Sequence, residues 1–123
     1  MAKNSDSVER ERTEKVPEDP NQLVAQFQGY QQQMQSLMIQ KESLKLQAIE
    51  VEKALEELEK TQQKSAYKIT GQIMISKPVE EIKNELNEMK ENIGLRMQSL
   101  GKSEERVSNK LKELQEKLRE LMQ

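Results

Sequence analysis

The sequence predicts a mostly α protein, a long antiparallel two-helix coiled coil joined by one β-hairpin. Three observations carry this. Apolar residues recur at alternating gaps of three and four along two long stretches. Between them lies AYKITGQIMISKP (66–78), the one stretch that reads as β-strand. The composition offers no globular core: of 123 residues only 2% are aromatic, none is Trp, and 34% are charged. A chain this small already buries a poor fraction of its surface. A thin seam between long helices, or disorder, is what remains, and the periodicity decides for the seam.

Residues 1–19 are polar and charged, have no apolar period and are expected to be a disordered tail. The first helix is expected at about 20–62. Asp19 can cap it, Pro20 suits its first position, and Gln22 stands where a capping-box partner would. Its apolar positions are Leu23, Phe27, Tyr30, Met34, Leu37, Leu44, Ala48, Val51, Leu55 and Leu58, with Lys41 the one polar interruption. Forty residues at 1.5 Å rise reach ~60 Å.

The second helix is expected at about 78–122, opened by Pro78 and by Glu80 and Glu81 at the positive end of the helix dipole. Its seam runs Val79, Ile82, Leu86, Met89, Ile93, Met97, Leu100, Glu104, Val107, Leu111, Leu114, Leu118 and Leu121. Two successive gaps of four meet at Ile93, a stutter that locally unwinds a left-handed supercoil. Gly94 and Gly101 lie beside it. They mark either a soft spot or a close helix crossing. Neither helix buries its stripe alone, so the two pair antiparallel.

The hairpin is expected at about 66–76. Tyr67, Ile69, Ile73 and Ile75 fall at strand spacing around a central Gly71, and Met74 faces the other way from its neighbours. A lone two-stranded hairpin is marginal in water, and both its edges are templates for further strands. Nothing else in the chain covers it. The expected solution is assembly: hairpins of several subunits join edge to edge into a closed β-barrel hub, which abolishes the edges.

If the hairpin is the hub, the open ends of the helices form the opposite tip. Leu23, Val24, Phe27, Leu114, Leu118, Leu121 and Met122 gather there. Val24 and Met122 lie off the seam. An apolar patch there suits loose binding of unfolded chains, and Met adds adaptability. The alternative is that the seam residues among them simply finish the coil.

Other chemistries are excluded by what the sequence lacks. There is no His and no Cys, so Ser/His and Cys/His nucleophiles and the usual zinc ligands cannot be built. The four glycines are scattered and form no phosphate loop. Adjacent carboxylates such as Glu56-Glu57 and Glu104-Glu105 are expected on solvated helix faces rather than as acid/base pairs. No enzyme, cofactor or metal is expected. The 20 basic and 22 acidic residues are interspersed, with no basic stripe for nucleic acid. With no apolar signal region and no run of membrane-spanning length, a cytoplasmic, membrane-free protein is expected.

Residues 20–123 resemble the prefoldin beta subunits, the archaeal type especially. The resemblance rests on the Gln-rich opening QLVAQFQGYQQQMQSLMIQKESL, on the Tyr67-Lys68, Gly71 and Ile73–Ile75 pattern of the connector, and on the return helix after Pro78. One hairpin favours the beta type, since alpha-type subunits have two. The resemblance implies a hexamer of two alpha and four beta subunits with a double β-barrel hub. It implies an ATP-independent holdase whose coil tips bind non-native client proteins and pass them to a group II chaperonin. Two other readings stand beside it. One is a coiled-coil scaffold or tether recognising one folded partner. The other is an RNA-gripping arm, which the balanced charge disfavours.

Overall fold

The computed structural model describes residues 17–122. Most of the expected tail lies outside the described residues. The elements in chain order are α1 (Pro20–Lys60), β1 (Ser65–Thr70), β2 (Ile73–Pro78) and α2 (Val79–Met122).

Local chemistry sets each boundary. Asp19 caps α1: its Oδ1 accepts the Asn21 N–H at 3.0 Å, and its carbonyl accepts the first helical bond from Leu23 at 3.0 Å. The helix ends two residues before the expected position 62. Thr61 closes the last turn onto Glu57, then its hydroxyl accepts the Gln63 N–H at 3.3 Å. That side-chain turn competes with another helical bond.

The strands pair antiparallel from Ser65↔Pro78 to Thr70↔Ile73, longer than the expected 66–76. This leaves a two-residue turn, Gly71-Gln72. Gly71 has φ 61° and no other residue among those described has positive φ. Positive φ at the first central position alone is the type II′ pattern, whose twist matches that of the strands. Pro78 was expected in the first turn of the second helix. It instead closes β2 opposite Ser65, at the strand end, where its missing N–H costs no ladder bond. Val79 then starts α2 and donates its N–H to the Lys64 carbonyl at 2.8 Å.

The described chain falls into two compact units. One holds the residues up to Ser36 with those from Glu104 on; the other is Leu37–Ser103. The second unit contains the hairpin. Its core is Leu44, Val51 and Ile93, with Ala48, Leu55, Leu86, Met97 and Leu100 packed against them. Residues of both helices thus share one seam. Two ion pairs cross it: Glu59 with Lys83 at 3.3 Å, and Glu52 with Lys90. Each step is one heptad, forward along α1 and backward along α2, as an antiparallel coil requires. In the first unit Leu23, Val107 and Leu114 are buried, with Phe27, Tyr30, Met34, Leu111 and Leu118 half-buried.

Every expected seam position of α1 is buried or half-buried, Lys41 included. On α2 the exceptions are Met89 and Leu121, which are exposed. At ~100° per residue, Met89 and Met97 lie about 40° to either side of Ile93, so the stripe swings at the stutter and leaves Met89 at its edge. Gly94 and Gly101 sit in unbroken helix, and a Cβ at either would meet nothing within 4 Å. No close crossing requires them.

Candidate functional site

The hairpin combines exposure with apolarity on both faces. Directly paired residues share a face, so Tyr67, Ile69, Met74 and Ser76 lie on one side. Lys68, Thr70, Ile73, Ile75 and Lys77 lie on the other. Tyr67 is 70% and Ile69 72% exposed, and Ile73, Met74 and Ile75 are exposed as well. The two strands form a two-stranded sheet, so each also has one unpaired edge. Such a ribbon presents both backbone and side-chain surface for further strands.

One face of the ribbon is tied to α2. Lys68 Nζ donates to Glu85 Oε2 at 2.9 Å and Lys77 Nζ to Glu85 Oε1 at 2.8 Å. Glu81 adds a longer pair to Lys77 at 3.7 Å. The two ammonium donors hold the Glu85 carboxyl below its ordinary pKa, Lys77 first and Lys68 second. The Glu85 hydrogen bond holds Lys77 above its own. Sequence reasoning singled out neither Glu85 nor Lys77. A usable signal was present: residues 65–77 carry two lysines and no acid, so their counter-charge must come from elsewhere.

The residues expected at the coil tip separate by exposure. Leu23 is 0% and Leu114 1% exposed, so both belong to the core and offer no surface. Their burial fits the alternative stated for the seam residues, that they finish the coil. Phe27 and Leu118 are half-buried. Val24 and Leu121 are nearly half exposed and Met122 is 87% exposed. A shallow groove in the same unit is lined by Glu18, Glu113, Glu116, Lys117 and Glu120. Leu95 of α2 is exposed and escaped the sequence reading, as did four exposed apolar residues of α1: Met38, Ile39, Leu46 and Ile49. At 3.6 residues per turn the four of α1 share the face turned away from the seam.

Among the described residues, no His, Cys, Asp and Glu group suits a metal ion, and no helix is long and apolar enough to cross a membrane.

A family model described as prefoldin subunit matches residues 21–123. The prefoldin subunit beta of Archaeoglobus fulgidus is 34% identical over 108 residues, covering 87% of this chain and 93% of that protein. That of Methanococcoides burtonii is 39% identical over 107 residues, covering 86% and 91%. The crystal structure of the prefoldin beta subunit from Thermococcus strain KS-1 matches with a TM-score of 0.76 at 28% identity. The match covers 88% of this chain and 96% of that one. Two long helices joined by one antiparallel hairpin, with these relatives, define a coiled-coil subunit of the chaperone class. The chain belongs to the prefoldin subunit family.

Proposed function

We propose that this chain is a beta-type subunit of a cytoplasmic, ATP-independent holdase. Its hairpin joins those of partner subunits, a prefoldin alpha subunit among them, in a hexamer of two alpha and four beta chains. Strand pairing at both edges closes the hairpins into a β-barrel hub. The helices project from the hub, and their open ends hold non-native proteins for delivery to a group II chaperonin.

The observation that carries this reading is the ribbon: five apolar residues exposed over both faces, on two strands that each have an open edge. A monomeric protein rarely leaves such a surface in water. Val24, Leu121 and Met122, exposed beside the half-buried Phe27 and Leu118, support the open helix ends as the client surface. Scattered apolar contacts without a polar code suit promiscuous, weak capture.

The test is the native mass of the complex purified through this chain. A discrete assembly of about six small helical chains of two kinds supports the reading, and deletion of residues 66–76 then dissolves it while helix content stays. Val24→Ser, Leu121→Ser and Met122→Ser together lower aggregation suppression against several unrelated clients and leave the mass unchanged. An assembly untouched by the deletion refutes the hub. Suppression limited to one client supports a tether instead.

A further inference from the structure

Glu85 differs from the other surface acids of α2 in what it holds. Glu80, Glu113, Glu116 and Glu120 pair with cationic side chains three residues away on the same helix, and Glu81 pairs with Lys77 of β2 at 3.7 Å. Glu85 uses both oxygens, one for Lys68 of β1 at 2.9 Å and one for Lys77 of β2 at 2.8 Å. The register explains how. Ala66 pairs with Lys77 and Lys68 with Ile75, so the two lysines are diagonal neighbours on one face of the ribbon. One carboxylate therefore grips both strands at once.

Besides Glu85 and the longer Glu81 pair to Lys77, the ribbon is attached at its base. There the Val79 N–H meets the Lys64 carbonyl and the chain passes directly from β2 into α2. That junction fixes a position but leaves a swing. Glu85 lies six residues into α2, about 9 Å along its axis, and gives the ribbon a second point of support. Two supports define a pitch.

We propose that Glu85 is a clamp that sets the pitch of the hairpin against the coil, and that the clamp preorganises the hairpin for pairing with its neighbours. It also sorts the faces. The Lys68 and Lys77 face is held toward α2, whereas Tyr67, Ile69 and Met74 are turned away from the clamp and free to pack against the hairpins of partner subunits. Fixing the ribbon before association removes an ordering cost at the moment of binding. The inference rests on the hairpin being the assembly element.

The experiment uses the full chain in its native complex. Amide exchange over residues 65–78 and the dissociation midpoint on dilution are measured for the wild type, Glu85→Gln and the full charge swap Lys68→Glu, Lys77→Glu, Glu81→Lys, Glu85→Lys, which also reverses the Lys77–Glu81 pair. Gln keeps the size and helix propensity of Glu, so α2 stays folded. Glu85→Gln is expected to raise exchange in the hairpin and the dissociation midpoint about fivefold each, the scale of a partly exposed ion pair. Exchange around Leu44 and Val51 stays as in the wild type. The charge swap restores both readouts. In 1 M salt the wild type approaches the Gln variant. Wild-type exchange and midpoint in Glu85→Gln overturn the clamp. The 66–76 deletion keeps the two ideas apart. If it leaves the native mass unchanged, the assembly reading fails and takes the clamp's role in assembly with it. If it abolishes assembly while Glu85→Gln changes nothing, the clamp alone fails.

Discussion

Gly94 and Gly101 stand inside α2 with open space where a side chain would begin. Glycine there costs about 1 kcal/mol against alanine, and no packing repays it. Gly94→Ala and Gly101→Ala should therefore each raise the urea midpoint by an amount equivalent to about 1 kcal/mol. If client capture needs a pliable helix at the stutter, the same variants suppress aggregation less well while being more stable. Gly71 is the opposite case: at φ 61° any other residue is strained, and Gly71→Ala destabilises the turn. The charged residues near the hairpin give a pH signature with a definite sign. Glu85 has its pKa lowered by its bonds to Lys77 and Lys68. Its stabilising contribution is complete above the ordinary carboxyl value of 4.5 and is lost as pH falls through the lower folded value. Hairpin amide protection should fall in that acid window in the wild type and stay flat in Glu85→Gln. Lys83 has its pKa raised, first by the hydrogen bond to Glu59. Its contribution is complete below 10.5 and is lost as pH rises through the higher folded value.

At the scale of elements, the seam and the outer faces should respond differently to truncation. Leu44→Ala removes a core residue of the Leu37–Ser103 unit and should cost roughly 3 kcal/mol by denaturant titration. Leu46→Ala, two residues on but exposed, should cost under about 0.5 kcal/mol. That contrast was legible in the sequence, because heptad spacing alone separates Leu44 from Leu46. The same spacing located both helices and the strand-like connector between them. It could not place Met89 and Leu121 in solvent, since the sense of a swing at a stutter and the cover at a helix end depend on packing. Nor could it show that Leu23 and Leu114 are wholly enclosed, although the same spacing did set Val24 off the seam, where it is exposed. The hairpin turn required one bit of backbone information, the positive φ that lies at Gly71 and not at Gln72. Glu85 was hidden for another reason: a strand and a helix meet there, and no single period joins residues 68, 77 and 85.

For the whole molecule, the main feature is that its seam is internal while its ribbon is open. The Leu44, Val51 and Ile93 core is supplied by the chain itself, so helix content should survive dilution, whereas the hairpin's apolar residues stand exposed. Circular dichroism and native mass should accordingly part company on dilution. The antiparallel hairpin has one more consequence, in the order of folding events. Glu59 and Lys83 are 24 residues apart in sequence, Glu52 and Lys90 38. Loop-closure entropy rises with that distance, so the pair beside the turn closes first and each later heptad closes on a template already made. Folding is therefore expected to run as a zipper that starts at the Gly71 turn. Strain at Gly71 should then slow folding, while truncation at Leu44 mainly hastens unfolding. Stopped-flow folding and unfolding limbs of Gly71→Ala and Leu44→Ala read that order directly.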